Sequence, residues 1–302
     1  MSEPEEATGR AFARAALLGN PSDGFGGKTI ALVVRDLVAE VTVREATEAR
    51  FEASPGAREL VEAAIARFAR HCRQPRPAIA GSLASDIPRQ VGLGGSSAIV
   101  IATLRALCRL YACELDRAAM AQLALEVETE ELGIAAGPQD RVVQAYEGLV
   151  YMDFGDNAPA EPYELLDPAL LPPLFIAYAA SAPQSSGGVH ADLRRRFARG
   201  DSVVVEAIEE IADLAEAGRR CLLDGDHQRL GELMRANLAA RARMIELDPR
   251  HLRLIEIARS LGAPANYAGS GGAIVGLVPE GRSGEELRDA FTAAGYALLI
   301  TP

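Results

Sequence analysis

The sequence predicts an α+β fold with room for two domains. Its 302 residues are enough for two domains or for one large one. Strand-like runs dominate the opening of the chain, whereas helical spacing dominates the later part. Between them lies a segment rich in proline and aspartate, residues 155–173, which is the best candidate for a domain boundary. We therefore expect one domain over residues 1–165 and a second over residues 166–302.

Each element is predicted from the spacing of its apolar residues and from the turn residues that flank it. Residues 1–9 are acidic and polar, so we expect a frayed end there. Strands are predicted at residues 10–18, 30–34, 39–45, 75–83, 148–154, 174–180, 274–278 and 296–300. Helices are predicted at residues 57–71, 99–111, 117–131, 141–146, 189–199, 203–223, 228–245, 251–261 and 284–294.

The composition excludes several classes of protein. Acidic residues number 42 against 31 basic ones, and the net charge of −11 argues against non-specific binding to nucleic acid. The absence of tryptophan argues against stacking on bases. No apolar run is long enough to span a bilayer, and the polar N-terminus is unlike a signal peptide. We therefore expect a cytoplasmic protein that binds neither nucleic acid nor membrane.

The four cysteines show no C-x-x-C spacing and do not cluster with the four histidines. A structural zinc site is therefore not expected. Cys108 falls in an apolar helix and is interpreted as core filling. The whole set, Cys72, Cys108, Cys113 and Cys221, fits a reducing cytoplasm better than a disulfide scaffold.

The stretch most informative about function runs from Ile87 to Ala98, where three glycines occur within four residues just before an apolar helix. Glycine removes side chains where a backbone must approach a ligand closely. Ser96 and Ser97 follow, where the helix has unpaired N–H groups and the positive end of its dipole. This combination favours an anion site, usually for phosphate, although a plain strand–turn–helix corner would use the same residues. A serine hydroxyl there could also contact a metal ion bound to the phosphate.

Two familiar phosphate-binding motifs are excluded. Residues 22–29 end in Gly-Lys-Thr as a P-loop does, but Ser22 occupies the place of the first glycine. Strand-like residues follow where a P-loop needs a helix. Residues 92–94 open like a dinucleotide fingerprint, but Ser97 stands at the third glycine position and no βαβ unit surrounds it.

Three separated segments together resemble the GHMP kinases, the family named after galactose, homoserine, mevalonate and phosphomevalonate kinases. They are residues 13–23, 88–98 and 267–272, and the resemblance covers nearly the whole chain. They lie near the N-terminus, about a third of the way along and near the C-terminus, as the motifs of that family do. Within the family, residues 18–23, 87–90 and 139–142 are most similar to the glucuronokinase branch.

The resemblance implies a two-domain fold, with an N-terminal domain like domain 2 of ribosomal protein S5, a C-terminal ferredoxin-like domain and an active site in the cleft between them. It implies an ATP- and Mg²⁺-dependent kinase that phosphorylates the anomeric hydroxyl of D-glucuronate to glucuronate 1-phosphate. The expected partners are the sugar and ATP, with the protein a monomer or a homodimer. The alternatives are a kinase for a heptose phosphate, galacturonate or arabinose, and a catalytically silent protein that binds a sugar or nucleotide.

The resemblance also implies catalytic and metal-binding roles. It makes Asp140 the catalytic carboxylate that faces the sugar hydroxyl, although an aspartate before a helix is also a common N-cap. Arg14 matches the basic residue that holds negative charge on the transferring phosphoryl group. Ser97 and Glu128 match the magnesium ligands. The neighbouring carboxylates that leave the choice of acidic ligand open are Glu126, Glu130 and Glu131.

The remaining implied roles concern the nucleotide and the sugar. The residues that would cradle the phosphates are Pro88, Gly92, Leu93, Gly94, Gly95, Ser96, Ser97 and Ala98. Asp23 matches the carboxylate that bonds to sugar hydroxyls, and the loop that shapes the site is Gly269, Ser270, Gly271 and Gly272. A uronic acid needs a cation, and the candidates are Lys28, Arg89 and Arg141, ahead of Arg194, Arg195 and Arg196. His190 could line the same pocket, with helix capping as its alternative.

Overall fold

The structure, a computed structural model, describes residues 6–73, 78–180 and 187–301, and of residues 187–190 it describes the backbone only. In this part of the chain the strands are β1 (Glu6–Leu18), β2 (Lys28–Ala46), β3 (Arg50–Glu52), β4 (Ala78–Ser85), β5 (Leu149–Asp153), β6 (Tyr163–Leu166), β7 (Leu174–Tyr178), β8 (Ala265–Tyr267), β9 (Ala273–Leu277) and β10 (Ala297–Thr301). The helices are α1 (Pro55–His71), α2 (Gly95–Leu110), α3 (Arg117–Glu126), α4 (Gln139–Tyr146), α5 (Gly187–Ala198), α6 (Ser202–Asp224), α7 (His227–Met244), α8 (Pro249–Ser260) and α9 (Gly284–Ala293).

These elements form two compact units, each built from several stretches of the chain. The first unit comprises Met1–Ala13, Val33–Ile87 and Gly94–Glu147, and the second comprises Arg14–Leu32, Pro88–Leu93 and Gly148–Pro302. β1, β2 and the glycine-rich segment therefore contribute residues to both units. The expected sequence domains, residues 1–165 and 166–302, divide the chain differently from these compact units, and they stay a prediction.

In the first unit, helices α1–α4 accompany a small sheet. β4 pairs antiparallel with the end of β2, from Ala39 opposite Ser85 to Ala46 opposite Ala78, and β3 runs parallel to β4. α2 contacts α1, α3 and α4. Its apolar residues from Ala98 to Leu107 are mostly buried, as its nearly all-apolar sequence predicts.

The second unit contains the start of β2 paired with β5, which in turn pairs with β6. It also contains a four-stranded antiparallel sheet in the order β10-β7-β9-β8. The side chains of that sheet form one hydrophobic core with α8 and α9, around Phe175, Tyr267 and Phe291. α6 and α7 pack along each other. Across the described ranges, no helix combines the length and the apolar character that crossing a membrane requires.

The structure differs from the predicted elements at two places near the start of the chain. Residues 6–9 were expected to be frayed, but they belong to β1, where Ala7 and Gly9 are buried. The strands predicted at 30–34 and 39–45 are one strand, β2. Arg35 and Asp36 look like a break in the sequence because both are charged. They are exposed and lie between the part of β2 that pairs with β5 and the part that pairs with β4.

The cysteines were expected to fit a reducing cytoplasm better than a disulfide scaffold, and two of them do form a disulfide. Cys72, at the end of α1, forms a disulfide with Cys113, which follows α2, across a sequence separation of 41. Cys108 and Cys221 are free. The pairing depends on the packing of α1 against α2, and spacing along the sequence does not reveal such a contact.

We expect Cys72→Ser to lower the free energy of unfolding by about 2 to 4 kcal/mol relative to the oxidised protein, because the unfolded chain regains conformational freedom. Urea denaturation with and without dithiothreitol measures the difference. Cys108→Ser is the control, since Cys108 is free and its replacement should leave the effect of the reductant unchanged. Equal midpoints for the wild-type protein in the two conditions would contradict the disulfide.

Candidate active site

The glycine-rich segment leads into α2, which begins at Gly95 rather than at residue 99. Gly94 precedes it with a φ of +71°, a conformation that glycine adopts without strain. Ser96 and Ser97 therefore lie in the first turn, among the unpaired N–H groups. Ser96 is exposed, whereas Ser97 is fully buried and its Oγ donates to Gly94 O at 3.0 Å. A hydroxyl that donates once keeps its lone pairs, so Ser97 retains acceptor capacity for a cation.

Asp140 lies in the first turn of α4, where the positive end of the helix dipole favours a carboxylate. Pro138 occupies the N-cap position, so the alternative in which Asp140 caps the helix is wrong. Its Oδ2 lies 4.0 Å from Arg141 Nη1, and its side chain is 17% exposed. A partly exposed carboxylate at a helix start is accessible to a substrate and is held on a rigid element.

Gln144, one turn further along α4, is a site residue that the sequence analysis missed. It is fully buried, and its Nε2 donates to Gly94 O at 2.8 Å and to Phe12 O at 2.9 Å. Residues four apart share one face of a helix, so Gln144 turns the face that carries Asp140 toward the start of α2. The signal available in the sequence was a polar residue flanked by two apolar ones, Val143 and Ala145.

Glu128 is distinguished by its burial and by its partner. The α-helix ends at Glu126, earlier than predicted, and continues as a π-helical turn, Val127–Glu131. Such turns are frequent at functional sites. Glu128 is fully buried, and its Oε2 accepts from Arg141 Nε at 2.6 Å and from Nη2 as well. Its Oε1 is buried and makes no hydrogen bond within the described residues.

The other three carboxylates of this segment form ion pairs with arginines of α1. Ion pairs join Arg67 and Arg70 of α1 to Glu126, Glu130 and Glu131. Of the four carboxylates in this segment, Glu128 has a buried oxygen, Oε1, that makes no hydrogen bond within the described residues. Oxygen is the ligand atom that Mg²⁺ prefers. No three acidic, histidine or cysteine side chains of the described ranges converge as a metal cluster. A magnesium ion here would take most of its ligands from phosphate and water, and Ser97 and Glu128 stay its predicted protein ligands.

Arg141 is buried, and it binds the protein's own groups. Besides Glu128, it donates through Nη1 to Gly137 O at 2.5 Å. A substrate carboxylate would compete with Glu128 for this guanidinium. The geometry favours Arg141 as the residue that orients Glu128, whereas its expected contact with the substrate stays a prediction.

In the second unit, Arg14 joins the three segments that carry the family resemblance. Its Nη1 donates to Gly92 O at 2.6 Å and to Ala268 O at 2.7 Å. Its backbone N–H donates to Leu93 O at 3.0 Å. A single buried side chain thus holds the first segment against both of the others.

Two glycines at this junction are required by close approach. A Cβ on Gly269 would overlap Gly92 O and would lie 2.8 Å from Arg14 Nη1. A Cβ on Gly92 would lie 2.8 Å from Ser270 N, and Gly92 has a φ of +79°. The loops therefore approach each other backbone to backbone. That the same glycines let the backbone approach a ligand stays a prediction.

Asp23 is buried in a 3-10 turn, Ser22–Phe25, which follows β1. The turn is fastened by Ser22 Oγ, which donates to Lys28 O at 2.8 Å. Asp23 is thereby held on a fastened turn, and its expected contact with sugar hydroxyls stays a prediction.

Lys28 is engaged by carboxylates of the protein. Its Nζ lies 3.0 Å from Glu216 Oε2 and 3.9 Å from Asp153 Oδ2. Tyr151 OH also donates to Glu216 Oε2, at 2.6 Å, and this hydrogen bond is the main reason why the pKa of Glu216 lies below its usual range. A substrate carboxylate would have to displace Glu216, so the geometry favours a structural role for this lysine.

Three more candidates for binding a substrate carboxylate are exposed or form ion pairs within the protein. Arg89 is exposed on the turn before the glycine-rich segment. Arg195 and Arg196 donate to Asp192 and Asp201 at 3.0 Å and 2.9 Å. The side chain of His190 lies outside the described residues, and so its role stays a prediction.

Two residues of α7, both missed by the sequence analysis, hold the first segment. Asn237 Oδ1 accepts from Gly19 N at 2.8 Å, and Arg241 Nη1 donates to Asn20 Oδ1 at 2.7 Å. Arg241 Nη2 also donates to Ser270 O at 3.2 Å. Both side chains are buried, but along the sequence they resemble the exposed polar residues of the same helix.

Comparison with known proteins places these loops in a family. The family model described as GHMP kinases N terminal domain matches residues 59–148, and the one described as GHMP kinases C terminal matches residues 202–297. Glucuronokinase 1 of Arabidopsis thaliana is 36% identical, over 96% of this chain and 90% of that protein. Probable glucuronokinase 2 of the same plant is also 36% identical, over 91% and 85%.

A similarity in fold extends beyond these relatives. The crystal structure of Lactococcus lactis galactokinase complexed with galactose superposes with a TM-score of 0.82, covering 98% of this chain and 92% of that one. Its sequence identity is only 16%, so this match concerns the fold alone.

Proposed function

This chain belongs to the GHMP kinase family, and from that premise we propose that it transfers the γ-phosphoryl group of ATP to the anomeric hydroxyl of D-glucuronate. The product would be glucuronate 1-phosphate. The observation that carries the proposal is the 36% identity to two glucuronokinases over nearly the whole chain. The coarser statement does not depend on the sugar acid: the chain is an ATP-dependent sugar kinase.

The first unit supplies the groups for proton transfer and for the metal. Asp140 accepts or orients the proton of the attacking hydroxyl. Ser97 and Glu128 would hold Mg²⁺, with Arg141 orienting Glu128. Magnesium, when bound, neutralises charge on the phosphates. The backbone N–H groups in the first turn of α2 face the same anion.

The second unit supplies the remaining binding groups. Arg14 holds negative charge at the transferring phosphoryl group while its Nη1 fixes the backbone at Gly92 and Ala268. Pro88 and Leu93 frame the approach to the phosphate loop. Asp23 orients the sugar through its hydroxyls. The loop that we assign to the close approach of backbone and ligand consists of Gly269, Ser270, Gly271 and Gly272.

The test is ADP release measured over a panel of uronic acids, neutral hexoses, pentoses and phosphosugars. We expect D-glucuronate to give the highest kcat/KM, and ³¹P NMR of the product to show an anomeric phosphate. Reactions without sugar measure background ATP hydrolysis. A faster reaction with a neutral sugar, galacturonate or a heptose phosphate would contradict the proposed substrate. Sugar binding without ADP release across the panel would contradict the proposed chemistry.

A further inference from the structure

Arg241 is a buried cation of the second unit whose hydrogen-bond partners are all neutral. It donates to Asn20 Oδ1 and to Ser270 O, and its guanidinium carbon lies 5.1 Å from the centroid of the Tyr267 ring. The residue is 3% exposed, and its Nε makes no hydrogen bond within the described residues. No carboxylate in those ranges forms an ion pair with it.

Tethering of the loops does not by itself explain this charge. Asn237, one turn earlier on α7, tethers the same turn with a neutral carboxamide that accepts from Gly19 N. Burying an uncompensated charge is costly. A neutral side chain at position 241 could donate to Asn20 without that penalty. The charge is therefore the property of Arg241 that needs a function.

The position of Arg241 indicates what that function is. Both of its partners belong to the segments that the proposed function gives to the sugar, with Asn20 three residues before Asp23 and Ser270 inside the glycine loop. Water does not screen a buried charge as it screens an exposed one, so the charge acts on its surroundings strongly. Of the candidate cations named from the sequence, Lys28 and Arg141 are neutralised by Glu216 and Glu128, and Arg89 is exposed to solvent.

We propose that Arg241 makes this site selective for a sugar that carries a carboxylate, an inference that rests on the proposed function. Its guanidinium contacts Asn20 and Ser270, in the two segments proposed to bind the sugar. Its positive charge is balanced when the anionic sugar binds. Arg241 acts through Asn20 and Ser270 and is therefore a positioning residue. Burial lowers the pKa of Arg241 to about 10, so that it remains charged at neutral pH.

The experiment compares D-glucuronate with D-glucuronamide, which has the same shape and no charge. We expect the wild-type protein to prefer glucuronate by about 30-fold in kcat/KM, the size expected for a charge-assisted interaction. Arg241→Gln should remove that preference by lowering kcat/KM for glucuronate alone. The KM for ATP should stay at its wild-type value with either sugar.

Two further variants separate charge from geometry. Asn20→Asp keeps the shape of the side chain and places a carboxylate against Arg241, so it should also abolish the preference for glucuronate over glucuronamide. If Arg241→Gln does not fold, this variant tests the role of the charge. Asn237→Ala disturbs the same turn without changing any charge. It should lower kcat/KM for glucuronate and glucuronamide in parallel, which is the signature of a purely structural role.

Parallel losses for the two sugars in Arg241→Gln and Asn20→Asp would overturn the inference, as would a preference for glucuronate that survives in either. A raised KM for ATP in both Arg241→Gln and Asn20→Asp would mean that the charge serves nucleotide binding, and this result would also overturn the inference. If the wild-type protein phosphorylates only neutral sugars, the proposed function fails and the inference falls with it. If glucuronate is the substrate and Arg241→Gln still prefers it, only the inference fails.

Discussion

Asp140→Asn is expected to lower kcat by about three orders of magnitude while ATP still binds, because the amide keeps the shape of the side chain but cannot take up a proton. Asp140 lies in the first turn of α4, one turn before the buried Gln144. The helix is fixed through Gln144, so the substitution should leave its position unchanged. Steady-state ADP release gives kcat, and fluorescence titration with a nucleotide analogue gives the affinity.

Asp116→Asn is the matched control for this prediction. Asp116 is the N-cap of α3 in the same unit, and its side chain accepts from Ala119 N at 2.7 Å. Asparagine caps a helix as well as aspartate does, so kcat should remain at the wild-type level. Retention of more than about a tenth of kcat in Asp140→Asn would remove Asp140 from the proton-transfer step, since general-base catalysis contributes at least a hundredfold.

Glu128→Ala should have the second largest effect, because it changes both stability and metal dependence. Removing this carboxylate takes away the hydrogen-bonded counter-ion of the buried Arg141 and leaves Asp140 Oδ2 at 4.0 Å, and breaking a buried ion pair typically lowers the free energy of unfolding by about 3 to 5 kcal/mol. It also removes the buried oxygen, Oε1, that fits a magnesium ion. We therefore expect a lower urea midpoint and a much higher Mg²⁺ concentration for half-maximal ADP release.

The double variant Glu128→Leu with Arg141→Leu separates the two effects. Replacing a buried ion pair by apolar side chains is often neutral for stability, so the urea midpoint should recover while the magnesium dependence should not. Glu126→Ala is the control. That carboxylate is partly exposed and pairs with Arg67, and its loss should cost less than about 1 kcal/mol. Wild-type magnesium dependence in the double variant would exclude Glu128 as a ligand.

The family and the α+β fold were predictable because the three motif segments, residues 13–23, 88–98 and 267–272, are local in sequence. Each is recognisable from a few adjacent residues, and the family models and the galactokinase superposition confirm the fold that they imply. Helix α1 was predicted at residues 57–71 and runs from Pro55 to His71, because its apolar spacing is a local signal.

Features that depend on distant contacts were not predictable in the same way. The burial that sets Glu128 apart from its three neighbouring carboxylates follows from a π-helical turn, and the other three pair with arginines about sixty residues earlier in the chain. Gln144 and Arg241 bond to backbone or side chains far away in sequence. Lys28 is the single lysine of the sequence, but rarity in composition carries no information about its partner, Glu216.

Gln144 also constrains how the end of the glycine-rich segment, at Gly94, can move. One carboxamide nitrogen bonds both Phe12 O and Gly94 O, and Gly94 O additionally accepts from Ser97 Oγ and Ala98 N. A displacement of Gly94 alone would break the bond to Gln144, at a net cost of about 1 kcal/mol. A displacement in which α4 moves with Gly94 preserves that bond but breaks the bond to Phe12 O unless β1 moves as well. Gln144 therefore couples the start of α2 both to β1 and to the helix that carries Asp140, and a motion that keeps both hydrogen bonds moves the three elements together.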